Sequence, residues 1–369
     1  MVTVRGDLVT AEGIRPGWVR VVGDRIEAVG TTGTPDGPDV IDTHGLVLPG
    51  LVDVHCHGAL GAAFGDGAPA VRAAAGHHHR SGTTTLLTSL VSESHDVLVD
   101  QVRSLTPLVR DGVVDGIHLE GPYLAARCRG AHRADALRDP DPQEIAELLG
   151  IADGSVTVVT IAPELPGARA LIGDLAARGV RVAVGHTAAS TSDTRAAIDA
   201  GARVATHLFN GMSPLHHRDG GPVVALMDDE RVVCELIADG FHLDADVFRW
   251  AWRVLGPSRR MLVSDSSPAT GMADGIVSLG GQQLRVSQGR VQTADGSLAG
   301  SASTLLDIVR RVVAAGIPVH DAVTAATAVP AAALGLTDRG ALLAGHRADL
   351  VLADRGLRVD RVMRGGRWL

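Results

Sequence analysis

Eight short apolar runs recur through the middle of this 369-residue chain, at 51–57, 83–90, 113–119, 156–162, 181–186, 203–209, 232–238 and 260–265. Segments of helical periodicity separate most of them, most clearly 67–80, 96–110, 142–151, 167–178, 191–200 and 244–255. Strands and helices in strict alternation call for a parallel sheet with helices outside it, and eight such units are the number that closes a (β/α)8 barrel. The stretch 276–299, rich in glycine with alternating Val and Leu, reads as a hairpin insertion after the eighth strand. Helices at 303–315 and 319–335 then complete the ring. Both ends of the chain alternate with period two instead. Trp18–Val22 and Arg25–Val29 flank a Gly23-Asp24 turn, and Ala348–Leu352 and Val359–Met363 precede Gly365-Gly366. Segments 1–48 and 338–369 are therefore expected to build one small β-sandwich, leaving 49–337 to the barrel.

Composition narrows the class. Aromatic residues make up only 2% of the chain, so the core must be built from Ala, Val and Leu. A formal charge of −8 argues against a nucleic-acid-binding surface, and no membrane partner is expected. Every side-chain cation apart from histidine is arginine, because the chain has no lysine. Cys56, Cys128 and Cys234 make an odd set with no disulfide framework. No apolar run is long enough to span a bilayer, and the first residues lack a signal-peptide plan. A cytoplasmic protein is the simplest expectation.

In such a barrel, chemistry gathers at the C-terminal ends of the strands. His55 and His57 end the first strand, one residue apart, so alternation turns them to one face and Cys56 to the other. Glu120 follows the third strand, His186 the fifth, His207 the sixth, Asp239 and His242 the seventh, and Asp265 the eighth. Packing alone does not explain ionisable groups at so many corresponding ends, since each would need its own buried partner. Glu120, His186 and His207 form a zinc- or iron-type donor set with an open position, and His55 and His57 offer a second. A carboxylated lysine cannot bridge two ions in a chain without lysine, which leaves Glu120 as the candidate bridge. Asp265 suits a general base, with metal ligand or helix cap as its plainer alternatives. The run His77-His78-His79 is expected on a solvated surface, Cys128 in an inert loop, and His216 and His217 in a polar loop or pocket rim.

Several stretches, in order, resemble the amidohydrolase superfamily, and within it the branch that deacetylates amino-sugar phosphates. They are Asp53–Gly58, His118–Tyr123 with Gly130–His132, Gly185–Thr187, Thr206–Met212 with Arg218, Ile237–His242, Val263–Asp265 and Leu298–Ser301. The resemblance implies a metal held by Glu120, His186 and His207, with one or two ions per subunit depending on His55 and His57. Zinc is the expected metal, and iron is the alternative. It also implies Asp265 as catalytic acid/base and His132 as a hydrogen-bond donor near the acetamide carbonyl. Asn210, Gly211, Arg218 and His242 are implied phosphate ligands, the last two reaching in from the neighbouring subunit of a homodimer. The implied reaction converts N-acetylglucosamine 6-phosphate to glucosamine 6-phosphate and acetate, in amino-sugar catabolism and cell-wall recycling. The galacto epimer or another N-acyl compound is the alternative substrate.

Overall fold

A computed structural model describes residues 1–33 and 39–369. The N-terminal strands are β1 (Val2–Thr10), β2 (Gly13–Val22), β3 (Arg25–Gly30) and β4 (Val40–Pro49). The barrel strands are β5 (Leu51–Asp53), β6 (Thr83–Leu90), β7 (Gly116–Glu120) and β8 (Val156–Ile161), followed by β9 (Arg181–Val184), β10 (Val204–Ala205), β11 (Val233–Leu236) and β12 (Arg260–Leu262). Each barrel strand pairs in parallel with the next in sequence, as the alternating pattern predicts. They are largely buried on both faces because helices cover the outside while side chains fill the inside.

The seam between β12 and β5 carries no ladder and is fastened above it. Asp265 N–H donates to His55 O at 2.9 Å, His57 N–H to Ser266 O at 2.7 Å, and Ser264 N–H to Asp53 Oδ1 at 3.2 Å. The insertion after the eighth strand is a three-stranded antiparallel sheet over Gly275–Leu279, Gln282–Ser287 and Arg290–Gln292. Seven strands from the two ends form the separate sheet, in which β1 pairs in parallel with β4 and β4 pairs antiparallel with Leu350–Ala353. Val4, Leu8, Val19, Ile26, Leu350 and Met363 give that sheet its own core.

Several elements end earlier than the sequence reading has them, and three departures have a tertiary cause. The segment 319–335 is two helices, Val319–Ala325 and Ala328–Leu334, because Thr327 at the junction has φ −137° and ψ −80° and caps back onto Val323 O. The third strand starts at Gly116, leaving Asp115 to accept from Arg339, Arg347 and Arg364 at 3.0–3.3 Å where the terminal sheet meets the barrel. His78 and His79 are buried, contrary to the expected solvated run. They occupy the last turn of α1 (Ala68–Arg80), which lies against the barrel. His78 Nε2 sits 3.1 Å from Gly58 O and 3.3 Å from Cys56 Sγ, while His79 lies between the carbonyls of Thr83 and Val113.

Candidate active site

The barrel mouth holds a cavity of ≈ 270 Å³ whose floor is formed by His57, Glu120, His186, His207 and Asp265. The backbone turns sharply where the strands end. His186, His207 and Asp265 adopt φ of 47°, 28° and 44°, a left-handed region that non-glycine residues rarely enter. Each such residue costs on the order of 1–3 kcal/mol, which the surrounding barrel must hold in place. Gly211, at φ 60°, passes so close that a Cβ there would meet His186 Nδ1 at 2.8 Å, so only glycine fits.

Two clusters of lone-pair atoms share Glu120. In the first, His186 Nε2 and His207 Nε2 lie 3.1 and 3.0 Å from Glu120 Oε1 and 3.1 Å from each other. His186 Nδ1 donates to Cys128 O at 2.9 Å, and His207 Nδ1 donates to Asn210 O at 3.1 Å. Those bonds place the proton of each neutral ring on Nδ1, so both Nε2 atoms present bare lone pairs to one another. In the second, His55 Nε2 and His57 Nε2 are 3.1 Å apart. Each lies 3.2–3.4 Å from a Glu120 oxygen and 3.4 Å from Asp265 Oδ1. A four-coordinate ion with bonds of about 2.0–2.1 Å needs donors roughly 3.3 Å apart, and the distances in both clusters fit a divalent metal. Lone pairs in such proximity repel unless a cation lies between them.

Protons stand in for a cation among these donors. Burial pushes the Glu120 and Asp265 carboxyls up, but a charged His55 and bonds from neighbouring imidazoles outweigh it and hold both well below the carboxylate range, the role a bound cation would assume. His132 behaves differently. The backbone N–H of Ser92 donates to its Nδ1 at 3.2 Å, so the ring proton sits on Nε2, 3.3 Å from Glu120 Oε2. Nε2 therefore donates and has no lone pair for a metal, although its position beside Glu120 and His186 would allow one. Burial holds His132 down at about 4, so it is neutral at pH 7.

Asn210, Gly211 and His242 line the upper wall. His242 lines the pocket of its own chain, where Asp239 accepts from its Nδ1 at 2.8 Å. Burial would lower its pKa, but the bond and charge of Asp239 prevail and raise it. Arg218 does not join these residues. It is exposed beside His216 and His217, facing a shallow cleft near Thr191. Cys56 lies behind the metal-type donors, as strand alternation implies, and the Cys128 side chain is half-buried in the loop whose carbonyl orients His186.

Sequence reasoning missed Glu235. Its Oε2 accepts from His55 Nδ1 and from the backbone N–H of His207, both at 2.9 Å. The only sequence signal was a lone carboxylate inside the apolar run Val232–Ala238. His118, within a motif but buried, is spoken for by Ser89 and Thr160 hydroxyls at 2.9 and 2.8 Å and turns no free nitrogen to the cavity.

The barrel, the appended sheet and the shared carboxylate define a class. The amidohydrolase family profile matches residues 46–369, and the chain belongs to that family, whose members are metal-dependent hydrolases. End to end it is similar to N-acetyl-D-glucosamine-6-phosphate deacetylase of Mycobacterium smegmatis, with 42% identity and a TM-score of 0.96 over 100% of both chains. A second structure from that organism, an aspartate-to-alanine variant in complex with N-acetyl-D-glucosamine-6-phosphate, superposes equally well, covering 100% of this chain and 98% of that one. The chain is also 35% identical, over 86% of each sequence, to N-acetylgalactosamine-6-phosphate deacetylase of Escherichia coli O157:H7.

Proposed function

We propose that this protein hydrolyses the N-acetyl group of N-acetylglucosamine 6-phosphate, releasing glucosamine 6-phosphate and acetate. The observation that carries the reading is the convergence of Glu120, His186 and His207 donors 3.0–3.1 Å apart on the floor of a cavity. A homologue with 42% identity has been solved with that sugar phosphate bound. A divalent ion on these donors supplies Lewis acidity and brings a water's pKa toward about 7, with zinc suited to the two-imidazole, one-carboxylate set and iron second to it.

The chain's own residues then do the following. Asp265, at the cavity floor, takes a proton from the attacking water and returns it to the departing amine. His132 presents its Nε2–H to the acetamide oxygen, where negative charge develops; being neutral, it acts as a fixed dipole. The Asn210-Gly211 backbone and His242, whose pKa the bond to Asp239 raises, receive the phosphate. Binding the phosphate far from the scissile bond positions the acetyl group, so an unphosphorylated sugar should lose rate as well as affinity.

Arg218 would complete the phosphate site of a second copy in a homodimer. Its exposure away from its own pocket supports this, as does the uncovered stripe Val247, Trp250 and Val254 on the outer face of Ala245–Leu255. The free cysteines fit a cytoplasmic setting, and among the described residues no helix is long and apolar enough to cross a membrane.

The test is acetate release by metal-loaded protein from N-acetylglucosamine 6-phosphate, beside its galacto epimer and the unphosphorylated sugar. Asp265→Asn should lower kcat by about 10²–10⁴-fold. No release from metal-loaded protein overturns the reading. A faster galacto epimer keeps the chemistry and changes the substrate.

A further inference from the structure

We propose that Glu235 is a positioning residue that makes the His55/His57 pair a metal site in its own right. The inference rests on reading those histidines as ligands and extends it to a group that no motif marks. A neutral imidazole carries one proton, and a metal needs the lone pair on the other nitrogen. At His55 the choice is forced. Nδ1 lies 2.9 Å from Glu235 Oε2, an acceptor, so a neutral ring keeps its proton there and leaves the Nε2 lone pair for an ion. That Nε2 lies 3.1 Å from His57 Nε2, 3.4 Å from Glu120 Oε1 and 3.4 Å from Asp265 Oδ1. His57 has no such partner, since its buried Nδ1 makes no hydrogen bond among the described residues. One of the two ligands thus has its tautomer fixed by a partner and the other does not, so the order of the pair depends on Glu235.

The two donor clusters are also held by different means. Backbone carbonyls of Cys128 and Asn210, both in loops, fix His186 and His207. A carboxylate on strand β11, 1% exposed, fixes His55, and the same oxygen accepts from the backbone N–H of His207. Carboxylate partners raise the basicity of a ligating imidazole, and losing one costs about 10–100-fold in metal affinity. Glu235 therefore sets the affinity of the second site while leaving the imidazole orientation of the first to the loops.

The experiment reloads metal-free protein with Co²⁺ and follows the stoichiometry and the visible absorption of each equivalent, in wild type, Glu235→Gln and His55→Ala. Wild type should take two ions per chain. Glu235→Gln, whose amide oxygen can still accept from the His207 N–H, should weaken the first far less than the second, which should bind about 10–100-fold more weakly, its absorption approaching that of His55→Ala. If Glu235→Gln does not fold, Glu235→Asp, which keeps the charge and withdraws it from His55, should show the same selective loss. Wild-type affinity for both ions in the variant that folds overturns the proposal. A wild type that takes one ion and still releases acetate also overturns it, and leaves the deacetylase reading standing. Absence of acetate release would instead count against that reading.

Discussion

His186, His207 and Asp265 reach the cavity from strand ends bent into left-handed backbone, a conformation that aims a side chain along the barrel axis. His242 is held differently, by a local bond to Asp239 three residues earlier, which raises its pKa against the effect of burial. The cation is present below that raised pKa and is lost as pH rises through it. KM for the phosphorylated sugar should therefore climb on the alkaline side. In His242→Gln, KM should be high throughout, with that limb flattened; an unchanged alkaline limb would show that another group titrates. At this scale the sequence is legible where chemistry coincides with position. Histidines and carboxylates at successive strand ends identify themselves, whereas Glu235 acts on a residue 180 positions away. Only the folded barrel makes that pair visible. The same holds for the tautomer of His132, which depends on a backbone N–H at Ser92.

Elements read from periodicity survive in the structure, but their ends move wherever a side chain has a tertiary task. β5 closes at Asp53, and the two histidines expected on its last turn of pleat lie just beyond it. α1 shows why polarity alone misplaces a segment. A triple histidine looks solvated, yet its last turn meets Cys56 and Gly58 beyond β5 and the carbonyls of Thr83 and Val113, and His78 is completely buried. Its Nδ1 has no partner, so protonation would bury an unsatisfied charge, and burial lowers its pKa to about 4. The unfolded chain takes up a proton near pH 6.5, so between there and about 4 stability falls as pH falls, by about 3 kcal/mol at most from this group. Denaturant titrations of metal-free protein at pH 7 and pH 4.5 should show that loss, and His78→Gln should reduce the slope. An equal slope in the variant would remove His78 from the account.

Across the whole molecule, the barrel and the terminal sheet are joined at Asp115, which accepts from Arg339, Arg347 and Arg364 at a largely buried seam. Asp115→Ala would leave three guanidinium groups facing each other and should cost about 3 kcal/mol, the lower end for breaking a buried ion network. A loss below 1 kcal/mol in urea titration, the size of a surface pair, would show that the seam is solvated. The barrel itself is fastened where Asp265 N–H meets His55 O and Ser264 N–H meets Asp53, the latter 211 residues apart. That arrangement sets a timetable for biosynthesis. A chain leaving the ribosome from its N-terminus exposes His55 long before Asp265 exists. The first histidines meet Glu120 early but wait for Glu235 and Asp265 until the last two strands are made, and activity arrives late, when the last strand docks.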